Sequence, residues 1–117
     1  DYLTAKLYYD LGTYTGNASY TADMRINGNN FLACITTAQN ALKDYPYTSM
    51  REDISILLLR AKYKLGSESV LDKKEERMRE TIDEYYAFKN EFPESKYMKE
   101  VEAIYKDASK YVKELNE

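Results

Sequence analysis

Apolar residues fall along the chain at helical rather than strand spacing. Leu3, Leu7, Tyr8 and Leu11 recur every three or four residues up to Gly12, which predicts a first helix that stops at the glycine. Thr13 to Asn30, rich in Thr, Asn, Gly and Tyr, carries no period and reads as one long loop. From Phe31 the apolar positions Cys34, Ile35, Ala38, Ala41 and Leu42 define one buried face, giving a second helix to about Lys43 that is closed by Asp44-Tyr-Pro46. Ser49 and Glu52 have the spacing of a capping box, so a third helix is expected from about Met50. That helix is apolar on two faces, with Ile54, Leu57, Leu58, Ala61 and Leu65 on one and Ile56, Leu59 and Tyr63 on the other. It should pack on two sides and stop at Gly66. A fourth helix follows from about Val70 to Phe92-Pro93, strongly charged, with Met78, Ile82, Tyr85 and Phe92 along one side and Glu75 four residues before Arg79 for a surface pair. Ser95 is placed to cap a fifth helix, whose stripe is Val101, Ile104, Tyr105, Ala108, Val112 and Leu115. No segment alternates as a half-buried strand does.

The pattern repeats. Asp44-Tyr-Pro-Tyr-Thr-Ser-Met-Arg-Glu-Asp-Ile54 aligns with Glu91-Phe-Pro-Glu-Ser-Lys-Tyr-Met-Lys-Glu-Val101, and the two prolines stand 47 residues apart. The register sets Ile35 on Ile82, Leu57 on Ile104 and Ala61 on Ala108, so it covers a helix, a turn and the next helix. A second echo pairs Tyr9-Asp-Leu-Gly12 with Tyr63-Lys-Leu-Gly66. A unit of this kind cannot bury its apolar face alone, and stacking supplies the missing partner. The expected fold is therefore all-α: about five antiparallel helices in a tetratricopeptide-like right-handed solenoid, one domain over 1–117, with repeat turns at 44–49 and 91–96. The units are longer than the roughly 34-residue tetratricopeptide norm.

Composition narrows function mainly by exclusion. The 117 residues include no His, which removes the commonest general base and metal ligand and with it Ser-His-Asp, Cys-His and His-based zinc chemistry. The net charge of −3 lacks the concentrated excess of Lys and Arg that phosphate binding needs, so nucleic acid is set aside as a partner. Acidity is concentrated in residues 67–117, whose charges read as solvated helix faces. Cys34, the one cysteine, sits among apolar neighbours and reads as a small buried hydrophobe. Asp83 and Glu84 are adjacent on a helix and point apart, which argues against a catalytic or metal-binding pair. The Asn17-Ala-Ser19 sequon carries little weight. The longest apolar run, Phe31 to Ile35, is far short of the roughly 20 residues of a membrane span. No catalytic residue, cofactor or metal site is expected, and the chain reads as a protein-binding scaffold rather than an enzyme.

Thirteen tyrosines and no tryptophan are a marked bias. Tyr8, Tyr45 and Tyr105 read as core residues with hydroxyls at the surface. If helices one and three line the concave face, Tyr2, Lys6, Tyr9, Ile56, Arg60 and Tyr63 are the candidate partner-binding residues, an amphipathic groove suited to an extended peptide with aromatic anchors and a carboxylate. Ile56 and Tyr63 could equally pack against a neighbouring repeat.

Leu-Tyr-Tyr-Asp-Leu-Gly-Thr-Tyr14, followed by Ala38-Gln-Asn-Ala-Leu-Lys-Asp-Tyr-Pro-Tyr-Thr48 and the Glu-Phe-Pro-Glu-Ser95 turn, resembles the BamD family, tetratricopeptide lipoproteins of the outer-membrane β-barrel assembly machinery. The charged Lys-Lys-Glu-Glu-Arg77 and Tyr-Tyr-Ala-Phe-Lys89 segments are similar to Bacteroides-type members. The resemblance implies docking to a BamA-like subunit and reception of unfolded outer-membrane protein segments, at the periplasmic side of the bacterial outer membrane. The chain, starting already in helical pattern, would be the C-terminal repeats of a longer protein. Membrane attachment would come only through an upstream lipid anchor, because Cys34 is in the wrong place to be the family's lipidated cysteine. The family's basic contacts to BamA have no counterpart by motif, so no contact residue is carried over. A different tetratricopeptide adaptor or co-chaperone of the cell envelope, or the helical accessory domain of a larger enzyme, stays open beside this reading.

Overall fold

The computed structural model describes residues 2–7, 9 and 24–112, and within them the chain is all-helical. A first helix, α1, covers residues 2–7, with residue 9 also helical; α2 is Met24–Asp44, α3 Arg51–Ser67, α4 Leu71–Glu91 and α5 Met98–Ser109. Consecutive helices from α2 onward pack side by side, and α3 also touches α5, an arrangement compatible with a helical repeat. No described helix is long and apolar enough to cross a membrane.

The 47-residue echo is a repeat in three dimensions. α2 and α4 are each 21 residues long and occupy the same positions in register, and α5 begins at the residue equivalent to the start of α3. The intervening turns share their hydrogen bonds: the Thr48 and Ser95 amides donate to the carbonyls of Tyr45 and Phe92, both at 3.1 Å. The amides of Met50 and Tyr97 donate to the hydroxyls of Thr48 and Ser95, at 3.1 and 3.0 Å. The Pro-containing turn with a hydroxyl two residues on is thus a local device in which the side chain stands in for a backbone acceptor.

Burial follows the same register. Phe31, Cys34, Ala38 and Ala41 of α2 and their counterparts Met78, Thr81, Tyr85 and Phe88 of α4 are all buried, as are Ile54, Leu57 and Ala61 of α3 and Val101, Ile104 and Ala108 of α5. The expected two-sided helix is α3. Its Ile54, Leu57, Leu58 and Ala61 join α2 and Ala5 of α1 in one cluster, while Ile56 and Leu59 join Tyr85, Phe88, Val101 and Ile104 in another. A third cluster ties Met78 and Ile82 of α4 to Ala108 and Val112. Forty-seven residues beyond Ile56, Leu59 and Tyr63 stand Ala103 and Lys106 of α5 and Lys110 just past its end, all exposed. These positions are small or charged where those of α3 are large and apolar.

Four local expectations are corrected. α2 begins at Met24, not Phe31, so the end of the expected 13–30 loop is helical; Gly28 and its three neighbouring asparagines are weak helix formers, but adding a residue to an existing helix costs far less than starting one. The rest of that loop, together with Tyr8, Gly12 and Leu115, lies outside the described residues. The capping box is not made. No side chain caps α3, and Glu52 instead accepts the Ser95 hydroxyl at 2.5 Å, drawn across to the next turn by tertiary packing. Gly66 does not stop α3, which runs on to Ser67. Its lack of a side chain serves close approach, because a Cβ there would sit 3.2 Å from Met78 Sδ. Ser95 works two residues before the N-cap position, Tyr97, rather than as the cap of α5. The Glu75–Arg79 pair forms as expected, at 3.0 Å.

Candidate partner-binding cleft

Arg60, Tyr63 and Lys64 of α3 are spaced i, i+3, i+4, which sets them on one helix face, and Glu100, Ala103 and Ile104 of α5 have the same spacing. Because α3 and α5 lie alongside each other, the two triplets face one another, and with Tyr9 they line a cleft of about 250 Å3. Residues of the odd-numbered helices therefore meet here.

The charges of the cleft are internally matched. The Arg60 guanidinium donates from Nε and Nη2 to the two Glu100 carboxylate oxygens at 2.6 and 2.7 Å, a bidentate pair, and lies 5.3 Å from the centre of the Tyr97 ring. The hydrogen bond to Glu100 raises the Arg60 pKa above its ordinary value. Tyr63 donates its hydroxyl to Asp107 at 2.5 Å; burial first, and this bond second, push its pKa up to about 12. Beside the cleft Tyr97 donates to Asp53 at 2.8 Å, so α3 and α5 are laced by three separate charge-assisted contacts. Tyr9 is half-buried, its ring edge-on to Phe31 at 5.7 Å between centroids. Tyr9, Tyr63, Ala103 and Ile104 give the cleft its rings and methyls, and Arg60 and Lys64 its hydrogen-bond donors. A ligand carboxylate that takes the bidentate Nε/Nη2 edge of Arg60 must exchange with Glu100, whereas aromatic or aliphatic side chains meet no such competitor.

Of the six residues expected to bind a partner, the cleft gathers Tyr9, Arg60 and Tyr63. Ile56 is buried at 2% exposure between α3, α4 and α5 and presents nothing to a partner, because at this position the second apolar face of α3 points into the next unit. Lys6 is exposed on α1 but does not line the cleft. Tyr2 lines a separate apolar cleft. Sequence reading missed Lys64, Glu100 and Ala103; the signal available was the shared i, i+3, i+4 spacing, but pairing α3 with α5 across 40 residues is a tertiary event. Tyr45, expected in the core, is 66% exposed, while Tyr105 is half-buried with its ring stacked on Tyr85 at 4.3 Å. Cys34 is buried, and the adjacent carboxylates diverge: Asp83 is exposed while Glu84 pairs with Lys62 at 3.0 Å. Among the described residues no cluster of three or more Cys, Asp or Glu side chains could hold a metal ion.

No protein-family model matches the chain, and no curated protein matches it.

Proposed function

We propose that the chain is a protein-binding scaffold of the BamD type, in which the cleft between α1, α3 and α5 takes an extended segment of an outer-membrane protein and another surface docks a BamA-like subunit at the periplasmic face of the outer membrane. The observation that carries the scaffold reading is the cleft itself, lined by the aromatic Tyr9 and Tyr63 and the aliphatic Ala103 and Ile104 beside Arg60. Tyr and Arg in a partly desolvated groove are the residue types that dominate binding energy at protein interfaces. The assignment to barrel assembly is supported by the Leu-Tyr-Tyr-Asp-Leu-Gly order and the Asp-Tyr-Pro-x-Thr turn of the sequence. Arg60 and Glu100 would act as a latch: the pair holds the cleft in one geometry when empty, and a peptide carboxylate takes the place of Glu100 when the segment binds.

The test is affinity capture from detergent-solubilised native membranes with the wild-type chain and with Tyr63→Ala. Recovery of a β-barrel assembly subunit and of unfolded outer-membrane protein, the latter reduced about tenfold or more by Tyr63→Ala, is the expected result. Recovery of neither, with soluble envelope proteins captured instead, would replace this reading with that of a general tetratricopeptide adaptor.

A further inference from the structure

The two units of the repeat differ at one place in a way that leaves a hole. Ala41, Tyr45, Thr48, Met50 and Ile54 of the first unit correspond, 47 residues on, to Phe88, Phe92, Ser95, Tyr97 and Val101 of the second. In the second unit the part of this space bounded by Phe88, Tyr97 and Val101 is filled: the Phe88 and Phe92 rings lie 5.2 Å apart and pack in one cluster with Tyr97 and Val101, and the cleft of about 450 Å3 that remains at the turn is lined largely by polar and charged residues, among them Glu52, Glu91, Glu94 and Lys96. In the first unit Ala41 replaces Phe88 and Met50 replaces Tyr97, and the same place is an open cleft of about 440 Å3. Its walls are apolar apart from the Thr48 hydroxyl, which already accepts the Met50 amide, and the tyrosine hydroxyls of the rim. The cleft is continuous with the α2–α3 interface, since Ala41 and Ile54 are buried members of that core on one side and form its floor on the other. At the mouth stand Leu3 and Tyr45, 74% and 66% exposed.

We infer that this cleft is a slot for an aromatic side chain, Phe or Tyr, carried by a partner polypeptide. The reason for a ring rather than an aliphatic group is internal to the molecule: the same backbone frame, with the same turn hydrogen bonds, holds rings from its own chain in the second unit. In the first unit the rings of Phe88 and Tyr97 have no counterpart while Tyr45 keeps that of Phe92, which leaves an apolar space beside a tyrosine, and a ring supplies a large apolar area there for few frozen torsions. The slot is separate from the Arg60 cleft and does not depend on the reading given to that cleft.

The test is titration of the 15N-labelled chain with p-cresol and with two capped pentapeptides, Gly-Gly-Phe-Gly-Gly and its leucine counterpart. Saturable shifts centred on the amides of Ala41, Thr48, Met50 and Ile54 are expected, with the phenylalanine peptide about tenfold tighter than the leucine one. Ala41→Phe, which installs the ring of the second unit, should abolish saturation while the chain stays folded. Should that variant not fold, Met50→Tyr fills the slot from its other wall and makes the same prediction. Absence of saturable shifts, equal binding of the two peptides, or binding that survives both substitutions would overturn the inference. So would a concentration-dependent dimer in sedimentation that Ala41→Phe dissolves, because the slot would then belong to a second copy of the chain.

Discussion

Replacing Ile56 by alanine asks whether the second face of α3 is core or groove. Ile56 is 2% exposed and packs with Leu59 of its own helix, Tyr85 and Phe88 of α4, and Val101 and Ile104 of α5. The substitution removes the side chain beyond Cβ, at about 0.8 kcal/mol for each carbon lost, or about 2.4 kcal/mol of transfer free energy. The cavity adds to this. Five large neighbours drawn from three helices cannot all relax into the gap, so a further 1 to 2 kcal/mol, roughly, is expected, for a total of about 3.5 to 4.5 kcal/mol. Urea unfolding followed by circular dichroism reads this as a lower midpoint at unchanged m. A fall in m together with the midpoint would mean that α4 and α5 have come away from α1 and α2 as a separate unit, which a stack held only by neighbour contacts permits. Were Ile56 a groove residue, truncation would leave stability within about 0.5 kcal/mol and change only partner binding. A measured loss under about 1 kcal/mol would therefore refute the packing described for α3.

Two further outcomes follow from the cleft. Because the Tyr63 pKa is raised to about 12 in the folded chain, the native state holds that proton more tightly than the unfolded state; its contribution is complete below the ordinary tyrosine range near 10 and is lost as pH rises toward 12. Tyr63→Phe should flatten the alkaline loss of stability between about pH 10 and 12, measured as the urea midpoint against pH, and an unchanged slope would sink the assignment. The Arg60–Glu100 pair, bidentate but with side chains 30% and 40% exposed, should give a double-mutant-cycle coupling of only about 0.5 to 1 kcal/mol, falling with added salt. A coupling several times larger would mean that the latch is too tight for a ligand carboxylate to open.

Periodicity alone determined the helices that carry long apolar stripes. α3, α4 and α5 are where Leu57, Met78 and Val101 and their partners place them, and the 47-residue echo is legible because the two turns need the same residues, an aromatic, a Pro and a hydroxyl, for the same local hydrogen bonds. Those are short-range requirements, and a chain writes them in adjacent positions. The echo also held the correct start of α2, since α4 begins 47 residues after it; weak propensity in Met24 to Asn30 hid it from a reading made segment by segment. What only the tertiary structure decided is which of two competing partners each long-range group takes. Glu52 could have capped its own helix but bonds Ser95, Gly66 could have ended α3 but admits Met78, and Ile56 could have lined a groove but is covered by α4 and α5. Arg60 finds Glu100 across 40 residues for the same reason. In each case the spacing along the chain permits either arrangement, and the packing of the next unit selects between them.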